Sequence, residues 1–253
     1  MGGAILRGLY QASEVVCQLT VVDVARPLLD KLKGEMPNIT VSDDAATAVK
    51  GADIVLIAVK PWLVSTVVDG IRASLDLTHQ VIVSIAAGVT FAQLSEMIAA
   101  PEGVAAKIVR VIPNTAIAVQ ESMTLIALSN ISKEEECMVV DMFGALGMAM
   151  VIEERLMGAA TALTSCGIAY VFRYIRAAME GGVEMGIAPD KSLAMVLQTM
   201  QGAVSLLEVN GSHPEAEIDK VTTPGGITIK GLNEMEHAGF TSAVIRGLKA
   251  SNV

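Results

Sequence analysis

Residues 54–59 read Ile-Val-Leu-Ile-Ala-Val and are followed at once by Lys60-Pro61. An unbroken apolar run rich in β-branched residues marks a strand buried on both faces, as in a parallel sheet; a strand with one wet face would alternate. Comparable runs stand at Leu19–Val22, Ile39–Val41, Val81–Ile85 and Ile108–Ile112, with helix-like segments between them. Strand–helix alternation of this kind builds an α/β, doubly wound domain of the Rossmann type. Ser122–Leu128 and Met148–Ile152 read as two further strands, separated by a helix over Lys133–Leu146. Past Glu153 the pattern changes. From Leu156 to Val253 only helical periodicity is found, broken at Gly186–Pro189, Gly211–Pro214, Pro224–Gly226 and Gly239. The predicted organisation is a doubly wound α/β domain over 1–153 and an all-helical domain over 154–253.

Composition narrows the function classes. A chain of 253 residues has room for two domains, and 52% hydrophobic against 18% charged residues excludes a disordered chain. The formal charge of −9, with no Lys/Arg cluster, gives no footprint for nucleic acid. Apolar stretches are interrupted by Gly or charge before the ~20 residues of a membrane crossing, so no membrane span is expected. Cys17, Cys137 and Cys166 stand at unrelated spacings, which predicts neither a disulfide framework nor a metal site and fits a reducing cytoplasm. MGGAILRGLYQ lacks the apolar core of a signal peptide. The helical segments Ala159–Met185 and Leu193–Leu207 are apolar around most of their circumference, and such helices must be surrounded. A homodimer interlocked through them is the simplest expectation.

A doubly wound nucleotide domain opens with a strand, a GxGxxG turn and a helix whose N-terminus faces the pyrophosphate. Met1-Gly2-Gly3 reads as the end of that turn, and Asp23, about 20 residues past Gly2, falls where an acid would bond the ribose hydroxyls. The opening strand and first glycines of the pattern lie outside the sequence. Losing a central strand leaves two edges unpaired, at ~1–3 kcal/mol for each buried orphan group. The expectation is therefore an incomplete chain or a start assigned at an internal Met.

Several segments, in order, together resemble one family. MGGAILRGL is similar to the end of an opening GxGxMGxAIxxGL, and Asp53–Pro61 (DIVLIAVKP) to a strand with an AVKP turn. Ser84–Thr90 (SIAAGVT) and Arg110–Thr115 (RVIPNT) match a strand with an AAG turn and an RxMPNT segment. Glu154–Tyr170 resembles a helix entry E…ALSGSGPAY, and Val221–Leu232 (VTTPGGITIKGL) resembles V(T/S)SPGGTTxxGL. The sequence thus resembles pyrroline-5-carboxylate reductase over essentially its whole length. The resemblance implies reduction of 1-pyrroline-5-carboxylate to L-proline by NADPH or NADH, in a dimer that often assembles further.

Residue roles follow from that resemblance together with simple chemistry. Glycines let a backbone approach a ligand closely, and free amides at a helix N-terminus suit a carboxylate. The amides of Gly225, Gly226 and Ile227 are therefore expected on the substrate carboxylate, with Thr223 in the same loop. Thr228 is expected to bond the ring nitrogen as the catalytic hydroxyl, and Glu154 to lie near that nitrogen. Met1, Gly2 and Asp23 are expected on the cofactor, with Ala58, Val59, Lys60 and Pro61 as the nicotinamide-side wall. Ala86, Ala87 and Gly88 offer small residues at a sheet end, and Asn114 follows another strand end, the usual ligand edge. His79, His213 and His237 are read as surface residues.

The sequence departs from the family pattern at Ser165, at Ile168 in place of Pro, and at Arg176 where Glu is common. Asp23 favours NADH by repelling a 2′-phosphate, whereas Arg26 could hold one. Two rival readings are a 3-hydroxyacid-type dehydrogenase and a non-catalytic homologue or inactive fragment acting only as a helical dimer. The first needs a Lys on the long helix, and Ala159–Met185 has none. The intact VTTPGGIT loop weighs against the second.

Overall fold

The computed structural model describes residues 1–12 and 17–252. The chain divides into two compact units, Met1–Ser165 and Cys166–Val253. In the first, α1 (Gly2–Gln11) is followed by β1 (Thr20–Val22), α2 (Arg26–Glu35), β2 (Thr40–Ser42), α3 (Ala45–Ala48), β3 (Ile54–Ile57) and α4 (Val64–Ile71). Then come β4 (Val81–Ser84), α5 (Phe91–Ile98), β5 (Lys107–Ile112), β6 (Ser122–Ser129), α6 (Lys133–Gly144), β7 (Gly147–Val151) and α7 (Met157–Thr161). Every expected strand is present. β1 and β2 pair in parallel, and β3-β4-β5-β6-β7 form a second sheet.

Apolar continuity explains the central strands. All four residues of β4 are buried, as are Ile108–Ile112 of β5, because helices cover both faces. Val55, Ile57 and Ile82 pack under α4 and α5, while Val81, Val83, Val109 and Val111 pack under α1 and α6. Helix α1 also places Leu6 against Leu32, Met36 and Ile39, so it packs on both sheets. Gly8 is required there: a Cβ at this position would overlap Leu146. Among the described residues β1 and β3 share no ladder, and α1 is the element that spans them.

One pairing departs from the parallel expectation. β6 runs antiparallel to β5, with Arg110 opposite Ala127. Residues 113–121 hold only a 3₁₀ segment (Thr115–Val119), and a parallel return needs a crossover of a dozen or more residues. Gln120, at φ 60°, ends that segment and turns the chain back.

The second unit holds α8 (Gly167–Glu184), α9 (Pro189–Asn210), α10 (Pro214–Val221), α11 (Ile227–His237) and α12 (Phe240–Ala250), with no strand among its described residues. Ser192 Oγ donates to the Met179 carbonyl at 2.9 Å where α8 and α9 meet, and Gly182 leaves room for that serine. Tyr170 on α8 hydrogen-bonds Ser251 beyond α12 at 2.5 Å. Leu193, Met195, Leu197, Val204, Leu206 and Val209 of α9 are exposed.

The expectation that no segment is long and apolar enough to cross a membrane is corrected. Glu154–Glu184 and Pro189–Asn210 both meet that standard by length and composition. Residues 192–207 carry no charge at all, because α9 confines Asp190, Lys191 and Glu208 to its ends.

The unit boundary falls after Ser165, later than the change of sequence character at Glu153. The intervening segment is bonded back to the first unit: Asn114 Nδ2 donates to the Thr164 carbonyl at 3.3 Å, and Ser165 Oγ to the Pro113 carbonyl at 3.4 Å. Residues Ala162–Cys166 form a π turn that runs into Ser165–Ile168, where the family pattern has GSGP.

Candidate active site

The parallel strands β3, β4 and β5 end where a ligand edge is expected. The register aligns Ile57, Ser84 and Arg110 across β3, β4 and β5, so residues 58–61, 85–88 and 113–114 leave the sheet along one edge. α1 begins at the same edge, since a Cβ added at Gly2 would come within 2.9 Å of Ala58 Cβ. No other side chain fits that approach. Met1 supplies the cap of α1, its carbonyl accepting from Ala4 and Ile5 at 2.8 and 3.1 Å. Its helix N-terminus, Ala58 and the Lys60-Pro61 turn are thus brought together.

Ala58, Lys60, Ala87 and Gly88 are exposed, while Ala86 is buried with its amide donating to Ser84 Oγ at 3.3 Å. Gly88 has φ +80°, a conformation that favours glycine. Lys60 is extended, as the residue before a proline should be, and Pro61 opens a 3₁₀ turn through Leu63. Asp23 follows β1 in the two-stranded sheet, and its Oδ1 accepts from the Ala25 amide at 2.8 Å. Arg26 is shared between Asp30 (3.3 Å) and Asp43 (3.8 Å) at the surface.

Two expected contacts look different in the structure. The Asn114 side chain is buried and engaged at both ends, Oδ1 accepting from Ala116 and Nδ2 donating to Thr164. These bonds form the turn and tie it to the π turn. Glu154 is likewise committed: Oε1 accepts from Arg110 Nη1 and from the Phe91 amide, both at 2.7 Å. Neighbouring Glu153 pairs with Arg155 at 2.6 Å on the surface. Arg110 was legible as a signal, because a cation inside an apolar strand must be neutralised. Its partner, far away in sequence, was not.

In the second unit the loop 222–226 runs from α10 into α11. Gly225 has φ +71°, and Gly226 donates its amide to the Thr223 carbonyl at 2.9 Å. That amide closes the turn, so the carboxylate expectation narrows to the amides of Gly225 and Ile227. No side chain caps α11, which leaves the first-turn amides pointing outward, as for an anion. Ile227 and Thr228 are exposed. His213 caps α10 through Nδ1, and His79 and His237 are exposed, so none stands at the loop as a base. Arg176 pairs with Glu180 one turn along α8 at 2.8 Å. Among the described residues no group of acids, cysteines and histidines could hold a metal.

A Rossmann-type unit whose strand ends admit a close-approaching helix N-terminus, followed by a helical unit with an uncapped glycine loop, defines a two-domain nicotinamide-dependent oxidoreductase. Comparison with known proteins is specific. Residues 1–88 match the family description "NADP oxidoreductase coenzyme F420-dependent", and residues 154–253 match "Pyrroline-5-carboxylate reductase dimerisation". Pyrroline-5-carboxylate reductase from Methanosarcina acetivorans is 34% identical over 99% of this chain and 93% of its own. Pyrroline-5-carboxylate reductase 1 from Dictyostelium discoideum is 37% identical over all of this chain, which spans about half that protein's length (47%). The solved Plasmodium falciparum pyrroline carboxylate reductase with NADP bound is 28% identical, with a TM-score of 0.86 over 99% of this chain and 91% of that one. The chain belongs to the pyrroline-5-carboxylate reductase family.

Proposed function

We propose that the chain reduces 1-pyrroline-5-carboxylate to L-proline, the last step of proline biosynthesis, using NADPH or NADH. The observation that carries this reading is the loop 222–226, which opens α11 with an uncapped first turn beside an exposed Thr228. The amides of Gly225 and Ile227 bind the substrate carboxylate, and the Thr223–Gly226 turn holds them in place. The Thr228 hydroxyl accepts from the protonated ring nitrogen and orients the ring; no strong acid is needed, because the imine arrives protonated.

When bound, NAD(P)H supplies a hydride from nicotinamide C4 to the C=N carbon, and the nitrogen keeps its proton to become the secondary amine. The first unit fits that cofactor: the glycine at position 2 leaves space against Ala58, and Ala58–Pro61 and Ala86–Gly88 present small or backbone groups along one edge. Asp23 bonds the adenosine ribose. Residues 154–253 form the dimerisation domain, and a second copy covers the exposed α9 face. Its three free cysteines suit a reducing cytoplasm.

Thr228→Ala is expected to lower kcat by roughly 10–1000-fold, by analogy with one lost hydrogen bond at a reacting centre. Steady-state kinetics checks this, and an unchanged kcat would remove Thr228 from the mechanism.

A further inference from the structure

Arg110 is the only charged residue in the buried class among the described residues. A buried guanidinium must be neutralised and hydrogen-bonded to be tolerated. Its Nη1 donates to Glu154 Oε1 at 2.7 Å, its guanidinium stands 6.0 Å from the centre of the Phe91 ring, and its Nε is buried with no partner among the described residues. Glu154 is therefore the neutralising group for this cation.

The same oxygen does a second thing. Glu154 Oε1 accepts from the backbone amide of Phe91, the first residue of α5. Helix α5 already has a complete capping box, Thr90 and Gln93 each bonding the other's backbone. The bond to Glu154 is thus additional to ordinary capping, and it anchors the point where the Ala86–Gly88 turn rejoins regular structure. The other end of that turn is held by Ser84, whose Oγ accepts from the Ala86 amide. Ser84 and Arg110 are register partners on adjacent strands. One row across the sheet therefore fixes both ends of the turn, at one end directly and at the other through an ion pair.

We propose that Arg110 and Glu154 are positioning residues for the cofactor: their ion pair holds the backbone of residues 86–91 in the form against which the nicotinamide half lies. This rests on the reductase reading above. It assigns Glu154 a role through the turn in place of a contact with the substrate.

Glu154→Gln separates charge from shape, since the amide oxygen still accepts from Phe91 while Arg110 loses its counter-charge. Glu154→Asp keeps the charge with a shorter reach. Glu135→Gln is the comparator, for Lys107 at the start of β5 pairs with Glu135 at 2.6 Å, away from the carboxyl ends of the strands. NADPH and NADH binding is read by nucleotide fluorescence on the full chain, and hydrogen exchange reports the 86–91 amides without nucleotide. Glu154→Gln should weaken nucleotide binding by about tenfold, as a slightly displaced binding surface does, and speed exchange of those amides. KM for the nucleotide should rise more than kcat falls, with partial recovery in Glu154→Asp. Glu135→Gln should change thermal stability alone. Wild-type affinity and exchange in Glu154→Gln would overturn the proposal. A wild-type chain that binds neither nucleotide would overturn the reductase reading and this role with it, whereas failure of the pair alone leaves wild-type binding and turnover intact.

Discussion

At the scale of single residues, charge and hydroxyl placement decide the chemistry. Asp23 stands just past β1, with one oxygen on the Ala25 amide and the carboxylate otherwise half-exposed. A carboxylate there repels a 2′-phosphate and bonds ribose hydroxyls. Asp23→Ser should therefore raise the NADPH/NADH ratio of kcat/KM, by about tenfold for each 1.4 kcal/mol of repulsion relieved. Kinetics with the two nucleotides checks it, and a constant ratio would move the choice to Arg26. Part of this was legible: an acid at a strand end and glycines before a helix announce themselves by spacing, whereas the threonine of the glycine loop stood out only through the family resemblance. What sequence could not show was which polar groups are already used. Asn114 and the Gly226 amide both looked available and are both bonded within the fold.

At the scale of elements, the glycine loop depends on its approach. Gly226→Ala would bring a Cβ to 2.6 Å from Thr223 Oγ1 and 3.0 Å from the Thr223 carbonyl oxygen, so the turn itself must shift. KM for pyrroline carboxylate should rise, with little change in nucleotide KM; equal changes in both would place the loop elsewhere in the cycle. α10, which delivers the chain to this loop, is tied to the end of α9 through Glu217. Its carboxylate accepts from Lys220 at 2.6 Å, from Ser212, and from Asn210 at 3.2 Å. Those bonds, the lysine's first, hold its pKa down to about 2. Because the folded value lies below the unfolded one, the stabilisation is present above the ordinary carboxylate range and is lost as pH falls towards 2. Acid titration followed by circular dichroism should show a loss in that window that is smaller in Glu217→Gln. The strands were readable because double burial leaves continuous apolar runs. The antiparallel return of β6 is marked only by the length of its connection, since residues 113–121 are too few for a crossover.

At the scale of the molecule, the helical unit carries far more exposed apolar surface than its own residues can cover. Val209 is 83% exposed and Phe172 60%. Extended exposed apolar surface marks an interaction face, and a dimerisation domain accounts for it. Light scattering should give at least a dimer, and Leu206→Glu with Met195→Glu should shift it towards monomer; a wild-type monomer would contradict the assembly. The buried-helix argument from sequence reached this surface from composition alone, because helices without charge over several turns have no stable wet face.

The most direct measurement is oxidation of NADPH, and separately of NADH, by the purified full chain with 1-pyrroline-5-carboxylate, with proline quantified as product. The account predicts substrate-dependent oxidation with one proline formed per nucleotide consumed. A folded dimer that binds nucleotide and yet forms no proline would contradict it.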